Sequence, residues 1–300
     1  MSKQRLAHYL RAIPAALLLW PLLFACQRKA APAGAQLPAG APNILIDQGG
    51  FVGPCEPSIA ISPANPGQVV AGAILDRVYY SEDGGKTWNK DRLRSPYGVY
   101  GDPVILADYA GNFFYAHLSN PGNSSFSDEW LDRIVVQRSE DGGKGWSDGA
   151  YAGLRPPRDQ DKHWLAADPR NNHLYMTWTE FDEYDSRDPE DRSRILFSRS
   201  TDGGRSWSEA VAINQFEGDC LDGDQTTEGA VPAVGPNGEV YVAWAYDEKI
   251  YFDRSLDGGE SWLEQDVVIA DQPGGWAFDI PGIYRCNGMP VTVADLSDGP

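Results

Sequence analysis

SEDGGKTW, from Ser81 to Trp88, recurs as SEDGGKGW (Ser139–Trp146), STDGGRSW (Ser200–Trp207) and SLDGGESW (Ser255–Trp262). The starts lie 58, 61 and 55 residues apart, the length of one supersecondary unit repeated along the chain. Each residue type has a local reason. Asp83, Asp141, Asp202 and Asp257 can accept N–H groups from their own turn. The paired glycines supply backbone angles with φ > 0. Trp88, Trp146, Trp207 and Trp262 open the returning strand with a large ring to bury. A β-rich run precedes each copy: VYYS, IVVQRS, ILFSRS and IYFDRS. The repeats therefore read as hairpins.

Upstream of each hairpin lies a second pair of strands. PSIAIS and QVVAGA flank PANPG, and PVILAD and FFYAHL flank Gly111-Asn112. HWLAAD and LYMTW flank PRNN, and VPAVG and VYVAW flank Asn237-Gly238. Each unit is then four antiparallel strands, A to D, with no long helix expected from about Asn43 onward. Radial repetition of such sheets predicts an all-β fold, a β-propeller of four-stranded antiparallel blades. Four blades are complete, and PVTVAD (Pro290–Asp295) begins a fifth. A propeller hides its strand edges by closing, so the expectation is a six-bladed ring whose C-terminal part is missing.

The four motifs resemble the Asp-box, or BNR, repeats of sialidase-like propellers, over roughly residues 50–300. In that family the boxes lie on the periphery, so the resemblance implies that the four aspartates hold turns and do no chemistry. The turns are expected opposite the mouth where the A strands begin.

The N-terminus reads as a targeting segment. Lys3, Arg5 and Arg11 precede an apolar run from Ile13 to Phe24 that is too short to span a bilayer comfortably. Leu23-Phe24-Ala25-Cys26 resembles a bacterial lipoprotein signal with Cys26 as the lipidated residue; an ordinary secretory signal with an incidental cysteine is the alternative. The expected organisation is a signal peptide over 1–25, a Pro-rich tether over 26–42 and the propeller over 43–300. Localisation follows as the bacterial cell envelope, with the acyl chains as membrane attachment. Cleavage removes three positive charges and takes the formal net charge from −18 to −21. That balance excludes nucleic acid as a partner. Cys55, Cys220 and Cys286 match no zinc motif. An exported protein permits a disulfide, and the loops entering blades 4 and 5 suggest Cys220 with Cys286.

The channel mouth is where chemistry is expected. There the candidates are Glu56, Asp102, Asp161 and Glu228, with Lys162, His163, Trp164, Tyr284 and Arg285 as substrate contacts. The B–C loops add Asp76, Arg77, Glu180, Asp247 and Glu248, and two long inserts, SNPGNSSFSDEWLD and EFDEYDSRDPEDRS, lie on the same scaffold. Two carboxyls at suitable separation can hydrolyse a neutral glycoside, with Trp164 as a stacking platform. Each carboxylate also has a plainer reading as a turn cap or solvated rim, and His163 as a packed histidine. The acidic run from Asp182 to Asp191 lacks the alternation of a calcium loop, and neither metal nor cofactor is implied.

Sialidase chemistry needs three arginines on the substrate carboxylate, a Tyr nucleophile with Glu, and an Asp acid/base. The resemblance places the first arginine in an R-I-P motif, where this chain has Glu56-Pro57-Ser58-Ile59. A carboxylate there is the wrong charge for an anionic sugar. Arg285 is the arginine at a strand mouth, and Arg77, Arg155 and Arg158 are loop contributors. Two function classes follow: a glycan-directed protein, up to a glycoside hydrolase, or a non-catalytic propeller serving as a protein-binding or assembly scaffold.

Overall fold

The computed structural model describes residues 43–49, 53–122, 127 and 129–297. The proposed signal, tether and Cys26 lie outside the described residues. Sixteen strands form four antiparallel sheets, each in simple chain order, and no helix occurs among the described residues. The first sheet contains β1 (Ser58–Ile61), β2 (Val69–Ala73), β3 (Arg77–Ser81) and β4 (Asn89–Arg92). The second contains β5 (Val104–Ala107), β6 (Phe113–Leu118), β7 (Ile134–Ser139) and β8 (Ala150–Ala152). The third contains β9 (Asp159–Ala167), β10 (Leu174–Phe181), β11 (Ser193–Ser200) and β12 (Val211–Ala212). The fourth contains β13 (Glu228–Val234), β14 (Val240–Tyr246), β15 (Lys249–Ser255) and β16 (Val267–Asp271). A two-stranded ribbon follows, β17 (Ala277–Phe278) with β18 (Cys286–Asn287).

The sheets stack in series. β1 lies beside β5, β5 beside β9, and β9 beside β13, so the first strands share a centre and the later strands fan outward. Three apolar layers fill the spaces between neighbours. Val70, Phe113 and Tyr115 pack between the first two sheets, and Phe114, Leu174, Met176 and Trp178 between the second and third. Tyr175, Phe197, Val242 and Trp244 fill the third gap. The middle strands β2, β6 and β10 are buried on both faces, which is why they read as near-continuous apolar runs.

The repeated turns close each hairpin and also join the sheets. Asp202 is typical. Its Oδ1 accepts the Arg205 and Ser206 N–H groups, both at 3.0 Å, and its Oδ2 accepts the Ser206 hydroxyl at 2.6 Å. Ser200 Oγ donates to Asp202 at 2.8 Å and accepts the Gly204 N–H at 2.9 Å. Burial opposes these bonds, yet together they hold the Asp202 carboxyl near 2. The second glycine is required twice over. Gly259 has φ +89°, and a Cβ there would meet Phe197 Cε1, in the preceding sheet, at 2.2 Å. Gly143 and Gly204 approach Val70 and Phe114 of their preceding sheets in the same way. Ion pairs Lys144–Glu82 (2.7 Å) and Arg199–Glu260 (2.9 Å) bridge the same seams.

Register puts these turns far from the strand starts. Ser81 pairs with Val69, and Val69 with Ile61, the end of β1 remote from Glu56.

Two sequence expectations are corrected. Pro290–Asp295 forms no strand, because no described strand lies alongside to complete a ladder. Cys220 and Cys286 are not bonded; all three described cysteines are free. Cys220 is buried, with its thiol against the backbone of Asp182 and Glu183, and burial raises its pKa. Cys286 belongs instead to the ribbon, opposite Phe278.

Candidate functional site

A left-handed residue stands at or near the start of each first strand: Glu56 (φ 50°) and Asp102 (φ 49°) just before β1 and β5, Lys162 (φ 53°) and Gly229 (φ 75°) inside β9 and β13. For an L side chain this conformation costs about 1–2 kcal/mol, so three of the four positions hold a charged residue against its backbone preference. In the third sheet the register of β9 on β10 shifts between Thr177 and Thr179. In the fourth, β13 shifts on β14 between Glu228 and Val231. These bulges leave Lys162 and His163 in β9, and Gly229 and Ala230 in β13, outside the regular ladder, next to the paired Asp161 and Glu228.

The result is one cluster drawn from four successive sheets. Glu56 and Asp102 face each other carboxyl to carboxyl. Lys162 Nζ lies 3.4 Å from Asp102 Oδ2, and the Lys162 N–H donates to Asp161 Oδ1 at 2.7 Å. Asp161 and Glu228 form the buried floor, at 6 % and 0 % exposure, while Glu56 stands exposed at the rim.

Electrostatics differ sharply across this short distance. Burial, with Asp102 and Asp222 adding like charge against the pull of Lys162, pushes Asp161 up to about 7. Glu228 is raised well above its ordinary value, first by burial and then by Asp222 and Asp161. Glu56 is raised by burial and by Asp102. For Asp102 burial acts upward, but Lys162, His163 and the Glu56 hydrogen bond outweigh it and hold it low. Lys162 is raised: burial acts against its charge, and Asp161, Asp102 and Glu228 overcome that. The arrangement thus sets proton-holding carboxyls beside one that stays charged.

Two members were not singled out from sequence. Asp222, at φ +52°, accepts the Tyr184 hydroxyl at 2.8 Å and both of its oxygens meet Arg285 Nη2, at 3.1 and 3.0 Å. Tyr184 comes from the long acidic insert of the third sheet. Its N–H donates to Asp159 at 2.8 Å, and its ring lies edge-on to Phe181 and Trp130. The insert was a legible signal for Tyr184; Asp222-Gly223 reads only as a turn.

Arg285 reaches the cluster through the ribbon. Trp276 is buried and donates from Nε1 to the Thr226 carbonyl at 3.2 Å, and the Ala277 N–H donates to Asp224 at 2.7 Å. Pairing of Phe278 with Cys286 then returns the chain so that Arg285 faces Asp222. Its neighbour Tyr284 is fully exposed. His163 is packed in the interior. It is buried beside His117, neither ring nitrogen has a hydrogen-bond partner, and burial lowers its pKa to about 4. The strand's alternation sends His163 inward and leaves Trp164 exposed at 39 %.

The loop candidates have other partners. Glu180 is buried under Arg158 at 2.7 Å and Arg155 at 3.5 Å, and Arg194 ties Asp182 at 2.8 Å. Asp76 pairs with Arg92, Arg77 donates to the Ile74 carbonyl, Asp247 faces Lys249, and Glu248 accepts the Gly274 N–H. Among the described residues no set of three His, Cys, Asp or Glu is arranged to hold a metal. Two surface cavities of about 400 and 330 Å³ lie elsewhere, beside Arg138 and Arg205 and beside Arg92 and Lys144. Neither touches the carboxyl cluster.

No protein family and no curated protein matches the chain by sequence. Solved structures do. A protein of unknown function from Dyadobacter fermentans superposes with a TM-score of 0.52 at 18 % identity, over 75 % of this chain and 71 % of that one. The NanB sialidase of Streptococcus pneumoniae reaches a TM-score of 0.47 at 14 % identity, over 78 % of this chain but only 55 % of the sialidase. An α-L-arabinofuranosidase from Fusarium graminearum gives 0.47 at 16 %, over 78 % and 72 %. Likeness at these identities bears on fold alone.

Proposed function

We propose that this chain is a glycan-directed β-propeller of the sialidase-like kind, exported and held at the bacterial cell envelope by acylation of Cys26. Its carboxyl cluster is the place where it engages sugar. The gathering of Glu56, Asp102, Asp161 and Glu228 from four successive sheets carries this reading. Cleaving a glycoside takes a proton given to the leaving oxygen and a second carboxylate that steadies the positive charge developing on the ring. Asp161 suits the first task, since it holds its proton to about pH 7. Asp102, kept charged beside Lys162, suits the second. Trp164 offers an exposed face for a sugar ring.

The charge balance supports a glycan without a carboxylate of its own. Among the described residues, five carboxyl groups, counting Asp222, face two cations in the cluster, Lys162 and Arg285. Binding of the mature protein to a glycan array tests the reading. Neutral or basic glycans should bind, Glu56→Gln and Glu228→Gln should weaken them at least tenfold, and Asp202→Asn should leave them unchanged. Binding that tracks sialic acid and ignores Glu56 would overturn it. An array without signal would favour the scaffold role.

A further inference from the structure

One carboxyl at the floor of the cluster has no ion-pair partner among the described residues. Glu228 is wholly buried, neither of its oxygens accepts a hydrogen bond, and the group its own proton can reach is another carboxyl, Asp222. The ionisable groups that act on it are two more carboxyls, Asp222 and Asp161, and Lys162, with Tyr184 and Arg285 also in the cluster. Both cations are engaged elsewhere. Lys162 is on Asp102 at 3.4 Å, and Arg285 is on Asp222 at 3.0 Å. An unpaired buried carboxyl is costly unless it stays protonated or gains a cation.

The two engaged cations are not held alike. The Lys162 side chain is 18 % exposed and belongs to the nine-residue strand β9. The Arg285 side chain is 46 % exposed and reaches Asp222 from a two-residue ribbon strand. Arg285 is the cation that an incoming ligand can displace.

Resting on the glycan reading above, we propose that the sugar bound here carries a free amino group, whose ammonium displaces Arg285 from Asp222 and gives Glu228 the cation it lacks. The ammonium N–H groups donate to Asp222 and Glu228. Glu228 gives its proton to solvent as the ammonium arrives, and no covalent bond forms or breaks. Arg285 moves into water, where its charge is well solvated. An N-acetylated sugar offers no such charge, and a uronic acid brings the opposite one.

Calorimetric titration of the full chain at pH 6 with the β-1,4-linked glucosamine tetramer, its N-acetylated counterpart and tetragalacturonate tests this. The glucosamine tetramer should bind at least tenfold tighter than the acetylated one, with about one proton released per site in buffers of differing ionisation heat. Glu228→Gln should erase that preference, and Arg285→Ala, at the exposed rim, should tighten the glucosamine tetramer several-fold. Equal binding of both tetramers, lost in Glu228→Gln, would refute the amino-sugar inference and leave the glycan reading standing. A preference that survives Glu228→Gln, or weaker binding in Arg285→Ala, would also refute it. No binding of any of the three would count against both.

Discussion

Replacing Asp161 by Asn should change how stability depends on pH. In the unfolded chain this carboxyl titrates at 3.8, whereas in the fold it titrates near 7. Between those values the native state keeps a proton that the unfolded chain has released, so stability falls as pH rises, by about 1.4 kcal/mol per pH unit. Below pH 4 the group contributes nothing to the difference, and above pH 7 the penalty is complete, on the order of 4 kcal/mol. Asn keeps an oxygen to accept the Lys162 N–H, bonded at 2.7 Å, and removes the ionisation. Removing that charge also relieves Glu228, which Asp161 raises, so both effects act in one direction. Urea unfolding of both proteins from pH 4 to pH 8 measures it. The curves should start together and separate, with Asp161→Asn the more stable by several kcal/mol at pH 8. Parallel stability curves across that range would refute the reasoning.

Other changes probe the scaffold and the anchor. Gly259→Ala sets a Cβ against Phe197 at φ +89° and should cost about 2–4 kcal/mol in chemical denaturation, from overpacking and backbone strain together. Asp202→Ala, which removes the acceptor of four turn donors, should cost about 1–2 kcal/mol without altering sugar binding. Glu56→Gly relieves a left-handed glutamate and should raise the unfolding free energy by up to about 1 kcal/mol while weakening sugar binding. Cys26→Ser should move the protein out of the membrane fraction and abolish labelling by a fatty-acid analogue; unchanged retention would mean that another feature anchors it.

How much could be read in advance depended on whether the cause was local. Ser200, Asp202 and Gly204 make their hydrogen bonds within a few residues of one another, so the turn is visible in eight letters. Strand pairs such as β13 and β14 are equally plain, because alternation and Asn-Gly turns act over short spans. The second task of Gly259 was invisible, since it depends on Phe197, which lies in the neighbouring sheet. The left-handed backbone at Asp102 and Lys162 was hidden for a similar reason. Backbone strain of that kind is imposed by the surrounding sheet, and an Asp or Lys carries no mark of it. Asp222 joined the cluster only because the β12–β13 loop folds back. The cysteines failed for want of geometry: neighbouring loops do not bring two sulfurs together unless the backbone aims them.

Turnover of a panel of aryl glycosides by the mature protein, alongside Asp161→Asn and Asp202→Asn, tests the central claim most directly. The account predicts hydrolysis of neutral or amino glycosides that falls as pH rises through about 7, is reduced at least a hundredfold in Asp161→Asn, and survives in Asp202→Asn. Hydrolysis confined to sialosides, or unaffected by loss of Asp161, would contradict it.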